Sequence, residues 1–210
     1  MRKFNKKAPY NFSKQHGYLL VEVMVAMLIM LIGVVGIAKL QQTSKAANIQ
    51  AVQLSTAINL ADNLIERIRS NVAGIDTYFP GDATLTLDGS TPSPGALCVG
   101  GLVCTAAQVA AYDIWEWEQN LIGSLATEGG SNTGGLVNPI VCLQRPAGGG
   151  DGAYNIAIAW RGLTQLPSQQ IPENSNASTC GTGIGAGAYD ASGNDNVYRR
   201  IHWQQIFLDV

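Results

Sequence analysis

The sequence predicts an α+β protein in which one long N-terminal helix packs on a small antiparallel β-sheet domain that has an extra short helix. Two observations lead to this fold class. Residues 18–71 contain no proline and have helical patterning, whereas three segments of strand composition follow residue 135 among glycine-rich loops. A chain of 210 residues suits one folded domain with an appendage. We therefore divide it into a basic leader at 1–17, a long helix at 18–71 and a globular domain at 72–210.

Charge is distributed unevenly along the chain. Residues 1–17 hold five of the 13 basic residues and no acid, so residues 18–210 carry a net charge of −7. A domain this acidic does not hold nucleic acid through a general basic field, which excludes that class of partner. The basic residues directly precede an apolar segment. The positive-inside rule therefore predicts a cytoplasmic N-terminus, with the globular domain on the far side of the membrane.

The segment from Tyr18 to Ala38 has the length of a single membrane span. It contains 21 residues with one charged side chain, Glu22, and at about 1.5 Å per residue it covers a hydrocarbon core of roughly 30 Å. A cleaved secretory signal would have a shorter apolar run followed by a small-x-small site. Here the apolar run is longer, and the helical pattern continues past Lys39 without a break. An uncleaved signal-anchor is the simpler alternative, but it leaves Glu22 unexplained. A carboxylate at that depth costs roughly 2.5–3.5 kcal/mol unless it is paired.

After Lys39 the helical pattern becomes amphipathic. Apolar residues recur at steps of three and four, which predicts a helix face that lies on the globular domain. That predicted face consists of Leu54, Ile58, Ala61, Ile65, Ile68 and Val72. Polar residues occupy the opposite positions, namely Gln50, Gln53, Asn59, Asp62, Asn63 and Glu66.

The globular domain has one further helical segment and several strand-like segments. The helix is predicted at 105–125 with Thr105 as its N-cap, and its Trp115 and Trp117 fit core packing better than a sugar-binding platform. Alternation or β-rich composition predicts an edge strand at 83–88 and an antiparallel sheet built from 136–144, 154–160 and 197–208. Residues 127–135, 145–152 and 161–196 are predicted as loops.

Four cysteines lie downstream of the apolar segment, at Cys98, Cys104, Cys142 and Cys180. Their spacing does not match a zinc site, and an even number in an exported domain favours two disulfides. Three pairings are possible. We favour Cys98–Cys104, which closes a short glycine-containing loop, and Cys142–Cys180, which ties two strand-like regions together.

The residues at the leader junction carry a family resemblance. The junction reads His16-Gly17-Tyr18-Leu19-Leu20-Val21-Glu22 and resembles the processing site of type IV prepilins, in which a basic leader ends in glycine. The resemblance implies cleavage between Gly17 and Tyr18 by a prepilin peptidase and N-methylation of Tyr18. It also implies a partner for Glu22, namely the Tyr18 amine of a neighbouring subunit. Tyr18 stands where phenylalanine is commoner.

Three further segments are more selective, because the leader pattern is shared by major pilins, minor pilins and secretion pseudopilins. Residues 31–41, 59–71 and 111–117 resemble minor pilins of the PilV type, also called type IV pilus modification proteins. The resemblance implies a type IV pilin-like fold and a role in pilus assembly, motility and adhesion. It further implies major and minor pilins as partners through the N-terminal helix. The chain would sit in inner-membrane lipid with its domain in the periplasm before entering the extracellular pilus.

Two other functions are alternatives to a minor pilin. A type II secretion pseudopilin would share the leader and the helix, and a signal-anchored periplasmic enzyme or adhesin would keep its leader. No motif supports catalysis or a cofactor. The glycines of 181–187 lack a flanking strand and helix, the oxygen-rich run 190–196 lacks the closing glutamate of a calcium loop, and His202 fits a structural strand histidine.

Overall fold

The computed structural model describes residues 19–100, 103–165, 179–182, 189–190 and 196–210. Contacts between residues divide the chain into two compact units, Met1–Lys45 and Ala46–Val210. The described part has one long helix, a 3₁₀ turn, two shorter helices and six strands. In chain order these are α1 (Leu19–Ser70), the 3₁₀ turn (Val72–Gly74), α2 (Ile75–Tyr78), β1 (Leu85–Leu87), α3 (Ala106–Leu121), β2 (Thr127–Glu128), β3 (Ser131–Asn132), β4 (Ile140–Gln144), β5 (Gly152–Arg161) and β6 (Arg199–Leu208).

Helix α1 has the extent that the sequence predicts, to within a residue at each end. It stops at Ser70 because the chain turns sharply through the 3₁₀ turn into α2. The side-chain amide of Asn71 donates a hydrogen bond of 2.8 Å to the carbonyl of Ala106. Gly74 lies so close to the same carbonyl that a Cβ atom would come within 2.7 Å of it. The end of α1 is therefore fixed directly against the start of α3.

The main sheet has four antiparallel strands in the order β1-β4-β5-β6. The pairing of β5 with β6 extends from Gly152 opposite Leu208 to Arg161 opposite Arg199. Strand β1 lies at one edge, where the sequence predicts an edge strand, although it is shorter than the predicted 83–88. A two-stranded hairpin, β2–β3, occupies part of the predicted loop 127–135.

Apolar side chains cover both faces of the sheet. Val141 and Leu143 belong to a large core formed with α1 and α3, whereas their neighbours Ile140 and Cys142 belong to a second, smaller core. Since successive strand residues point to opposite faces, the two cores lie on opposite sides of the sheet. The smaller core also contains Ala157, Ala159, Cys180 and Tyr189, with Ile201 and Trp203 packed against it.

The buried face of α1 differs from the predicted one. Ala61, Ile65 and Ile68 are buried as predicted, but the predicted core residues Leu54 and Ile58 are 45% and 37% exposed. Their places are taken by Ala57, Leu64 and Gln53, the last of which is a residue predicted to face solvent. The buried face therefore overlaps the predicted one but is rotated about the helix axis toward Gln53, Ala57 and Leu64.

Helix α3 begins as predicted and ends earlier than predicted. Thr105 is its N-cap and forms a capping box with Gln108, in which each side chain bonds the other residue's backbone N–H. The helix ends at Leu121 and not at Leu125. Gly123 then adopts a φ of +68°, a left-handed conformation that terminates helices.

Candidate assembly and anchoring helix

The first part of α1 is apolar and exposed throughout. Among the described residues, α1 is the one helix long and apolar enough to cross a membrane, and none of its most apolar window is buried. Leu20, Met30 and Val35 illustrate this with exposures of 72%, 70% and 69%. A contiguous apolar surface of this kind requires lipid or other protein to cover it.

Glu22 is the one charged residue in this apolar stretch. It lies in the first turn of α1, where a negative charge is favoured by the helix dipole. Its side chain is exposed and makes no ion pair within the described residues. Gly17 and Tyr18, the predicted cleavage and methylation positions, lie outside the described residues.

The second part of α1, from Ala46 onward, is held by packing with α3. Trp117 is completely buried, and its indole N–H donates to the carbonyl of Leu60 over 2.9 Å. This hydrogen bond gives the buried indole N–H of Trp117 an acceptor, so its one polar atom is satisfied in the core. Because its ring is inaccessible, Trp117 serves core packing and not a sugar-binding platform.

A cluster of three charged side chains and one tyrosine hydroxyl joins α1, α2 and α3. Arg67 Nη1 lies 2.9 Å from Asp113 Oδ1, and Arg67 Nη2 lies 2.8 Å from Glu116 Oε2. The hydroxyl of Tyr78 donates to Asp113 Oδ2 over 2.5 Å. Asn63 adds an acceptor for Arg67 Nε at 3.0 Å. We call Arg67, Tyr78, Asp113 and Glu116 the helix clamp.

Burial and charge act in opposite directions on the Arg67 guanidinium. Burial alone would lower the pKa of Arg67, but the hydrogen bonds and negative charges of Glu116 and Asp113 outweigh it and raise that pKa. Burial, followed by the hydrogen bond to Asp113, raises the pKa of the Tyr78 hydroxyl. Both groups therefore keep their protons over the physiological pH range.

Sequence reasoning missed the helix clamp. Its charged members, Arg67, Asp113 and Glu116, were visible on two predicted helices, but Arg67 and Asp113 are separated by 46 residues and Tyr78 lies outside both predicted helices. Pairing across that distance depends on how the helices pack, which hydrophobic periodicity alone does not specify. The available signal was the pair of acids, Asp113 and Glu116, spaced three apart on one helix face.

The cysteines form the two disulfides that the sequence favoured. Cys98 bonds to Cys104, and Cys142 bonds to Cys180. The second bond lies in the smaller core and ties β4 to residues 179–182. The first closes a surface loop on which Val103 is fully exposed.

The residues named above for metal binding or catalysis lie only partly in the described parts of the chain. There, no three His, Cys, Asp or Glu residues come together as a metal site. His202 lies in β6, as predicted. Of the run 190–196, only Asp190 and Asn196 are described, joined by a 2.7 Å hydrogen bond from the backbone N–H of Asn196 to Asp190 Oδ1. Within 181–187, residues 183–187 lie outside the described residues.

Comparison with known proteins adds one match. Residues 39–115 match the family model described as "Tt1218-like: Type IV pilin Tt1218". This match supports a type IV pilin family. The matched segment covers the domain-packed part of α1, α2, β1 and most of α3, and it includes three of the four helix-clamp residues, Arg67, Tyr78 and Asp113. No curated protein and no solved structure was found to match the chain.

The architecture agrees with that family. A long N-terminal helix, apolar in its first part, is followed by a small antiparallel sheet and short helices, which is a type IV pilin-like α+β fold. The family is structural and not enzymatic. Its members associate with other pilins, and an N-terminal apolar helix fits both membrane anchoring and pilus assembly.

Proposed function

We propose that this chain is a PilV-type minor pilin of a type IV pilus. In this proposal a prepilin peptidase cuts between Gly17 and Tyr18, and residues 18–38 cross the inner membrane once. Residues 72–210 lie in the periplasm until the subunit enters the pilus with other major and minor pilins. The observation that carries the proposal is α1 itself, which is apolar and exposed from Leu19 to Ala38, whereas its later turns are built into a domain core.

Glu22 gives the proposed assembly a specific contact. A carboxylate surrounded by apolar side chains is costly unless a cation neutralises it. Cleavage after Gly17 would create an amine at Tyr18, four residues before Glu22. The amine of one subunit would then meet Glu22 of its neighbour as their apolar helices pack together. This pairing would set the axial register of two otherwise featureless apolar surfaces.

The disulfides are consistent with the proposed location. Disulfides persist in oxidising compartments such as the bacterial periplasm and are rare in the cytosol. Both bonds lie in residues 72–210, the part assigned to the periplasm and then to the pilus exterior. A structural role in motility and adhesion follows from membership in a filament and requires no catalytic group.

The mass of the mature N-terminus tests the processing step. The chain would be produced with an active prepilin peptidase, extracted in detergent and analysed by intact-mass and N-terminal peptide mass spectrometry. We expect a chain that begins at Tyr18 and carries one methyl group. A protein that retains Met1–Gly17 under these conditions would exclude the pilin proposal and favour a signal-anchored enzyme or adhesin.

Replacement of Glu22 tests the assembly step. We expect Glu22→Ala to insert in the membrane and fold normally but to be strongly depleted from sheared pili, measured by quantitative immunoblotting of pilus and membrane fractions. Glu66→Ala is the matched control, because Glu66 lies on α1 in the domain-packed part and is 71% exposed. Equal recovery of the Glu22→Ala variant and the control in pili would refute the proposed pairing.

Co-purification separates the pilus from a secretion system. A minor pilin should be recovered with the other minor pilins of the pilus after mild extraction. A type II secretion pseudopilin would instead be recovered with secretion pseudopilins. If the chain is recovered with secretion pseudopilins alone, the proposed function in a pilus is wrong and a function in protein secretion replaces it.

A further inference from the structure

Arg200 is a buried cation without an acidic partner among the described residues. The residue is 7% exposed, and burial lowers the pKa of its guanidinium. Its Nη1 donates to the carbonyl of Arg199, and its Nη2 donates to the carbonyl of Thr164, with the Thr164 hydroxyl 3.5 Å away. Arginine has five N–H donors, and the described residues provide no hydrogen-bond acceptor for Arg200 Nε.

The guanidinium of Arg200 is held in a fixed position. It packs against Gly162, where an added Cβ atom would come within 2.7 Å of Arg200 Cζ. Thr164, which accepts from Arg200, also accepts a 2.6 Å hydrogen bond from the side chain of Gln50 on α1. The cation is therefore positioned by both the sheet and the helix. This arrangement keeps a costly charge in place where an apolar residue would cost less.

A cleft of about 340 Å³ lies beside this cation. It is lined by Ala47, Gln50, Ala51 and Leu54 from α1 and by Trp160 and Arg200 from the sheet. Most of this lining is apolar, and Arg200 is its one charged group. An apolar cleft with a fixed guanidinium suits a carboxylate attached to a short aliphatic chain, because arginine pairs with carboxylates through directional, charge-assisted hydrogen bonds.

We propose that the Arg200 cleft receives an acidic side chain from a neighbouring pilin subunit. The inference rests on the proposed function, since it requires subunits that pack side by side. Charge supports this occupant. Residues 18–210 carry a net charge of −7, so neighbouring copies would repel one another and would present acids in excess. The wall of the cleft also continues into the exposed apolar side chains of Leu54 and Ile58 on α1, which a packed subunit would cover.

Under this proposal, loss of the Arg200 charge should weaken binding of the neighbouring subunit without destabilising the chain itself. Arg200→Met removes a buried charge that has no acidic partner in the described structure, so the Tm of the isolated chain should stay the same or rise. The same variant should bind its neighbouring subunit at least about tenfold more weakly, because a charge-assisted contact is lost. Arg161→Met is the matched control. It removes an arginine from the adjacent strand whose guanidinium lies over the Tyr198 ring, outside the residues that line the cleft.

The first experiment uses butyrate as a probe for the carboxylate. NMR of the full processed chain in a non-ionic detergent would follow the arginine Nε–H signals, with the Arg200 signal assigned by its loss in Arg200→Met. We expect a saturable shift of that signal with sodium butyrate and none with sodium chloride at equal ionic strength. The same shift with both salts, or no shift with butyrate, would overturn the cleft as a carboxylate site.

The second experiment identifies the source of the carboxylate. Wild type, Arg200→Met and Arg161→Met would each be co-purified with the pilin subunits of the system. Selective loss of a subunit in Arg200→Met supports the proposal, and equal recovery in all three overturns it. Glu173 is an acid of the same chain that could compete for Arg200. If Glu173→Gln shifts the Arg200 Nε–H signal and increases its response to butyrate, the partner is internal and the proposal fails.

Failure of the two proposals can be told apart. If the wild-type chain retains its leader, the proposed pilin function is refuted. The butyrate response of Arg200 would be unchanged in that case. Arg200→Met could instead be processed, incorporated into pili and co-purified with other subunits as the wild type is. That result would refute the proposed Arg200 contact and would agree with the proposed pilin function.

Discussion

Asp113 accepts hydrogen bonds from side chains on two other elements. One of its carboxylate oxygens accepts a hydrogen bond from Arg67 on α1, and the other accepts one from Tyr78 on α2. The side chains of Arg67 and Asp113 are only 23% and 14% exposed, so water replaces these contacts poorly. Loss of the charge at Asp113 would weaken both contacts together and leave Arg67 with Glu116 as its remaining acid.

We expect Asp113→Asn to lower the free energy of unfolding by about 2 kcal/mol, the scale of a hydrogen bond to a charged group. For a domain of this size that corresponds to a fall in Tm of roughly 4–8 °C, measured by near-UV circular dichroism of the full chain in detergent. Glu66→Gln is the control, because its ion pair with Arg69 is on the surface, with exposures of 71% and 52%, and should contribute less than about 1 kcal/mol. Similar Tm values for the two variants would contradict the role given to the clamp.

Individual residues differ in how well the sequence reveals them. Glu22 stands out because its neighbours in the sequence are apolar, and the cysteines stand out by their number and chemistry. Asp113 and Arg200 do not stand out, since an acid on a helix and an arginine on a strand are ordinary surface residues by composition. Their importance comes from burial and from partners distant in sequence, which only the fold supplies.

At the scale of secondary-structure elements, the end of α3 shows how a local conformation overrides a helical pattern. Residues 122–125 contain no proline, and their apolar Ile122 and Leu125 led to a predicted helix that runs past Gly123, although glycine is a common helix-stop residue. Gly123 instead takes a positive φ, and the N–H of Leu136 returns to bond the carbonyl of Leu121 over 2.9 Å. A Cβ atom on Gly123 would lie 2.4 Å from the backbone N of Gly135. The close approach of these two chain segments requires glycine there.

We expect Gly123→Ala to destabilise the protein substantially more than Gly134→Ala. Both glycines have positive φ values, +68° and +86°, which cost a non-glycine residue roughly 1–2 kcal/mol. A Cβ atom on Gly134 would meet nothing within 4 Å, whereas one on Gly123 meets backbone. The clash adds about 1–3 kcal/mol, so the Tm of Gly123→Ala should be lower by several degrees. Equal melting temperatures for Gly123→Ala and Gly134→Ala would contradict the close backbone contact between Gly123 and Gly135.

The β2–β3 hairpin was missed for a different reason. Its turn is Gly129-Gly130, and both residues have positive φ, at +60° and +81°, as a tight two-residue hairpin turn requires. This dipeptide is a recognised hairpin signal. The flanking residues 127–128 and 131–132 are polar and exposed, however, so no alternation of apolar and polar residues marked them as strands.

At the scale of the whole molecule, Leu54 and Ile58 are exposed although the sequence places them in the core. The sequence predicted both the length of α1 and its burial against a sheet, because these depend on composition and periodicity. It predicted only in part which side of the helix is buried. The predicted and the buried face share Ala61, Ile65 and Ile68, but the buried face is rotated toward Gln53, Ala57 and Leu64, which leaves Leu54 and Ile58 exposed. Apolar residues lie on both the buried and the exposed side of this part of α1, and periodicity alone does not tell the two sides apart.

The double variant Leu54→Ser, Ile58→Ser tests whether the second face serves assembly. Both side chains are more than a third exposed, at 45% and 37%, so their replacement should change the free energy of unfolding by no more than about 0.5 kcal/mol each. Incorporation into sheared pili should nevertheless fall, because the apolar surface available to neighbouring subunits is reduced. Leu64→Ala is the contrasting control. Leu64 is fully buried on the same helix, and its truncation should cost roughly 2–5 kcal/mol. Wild-type pilus incorporation of the double variant at an unchanged Tm would show that Leu54 and Ile58 do not contribute to subunit contacts.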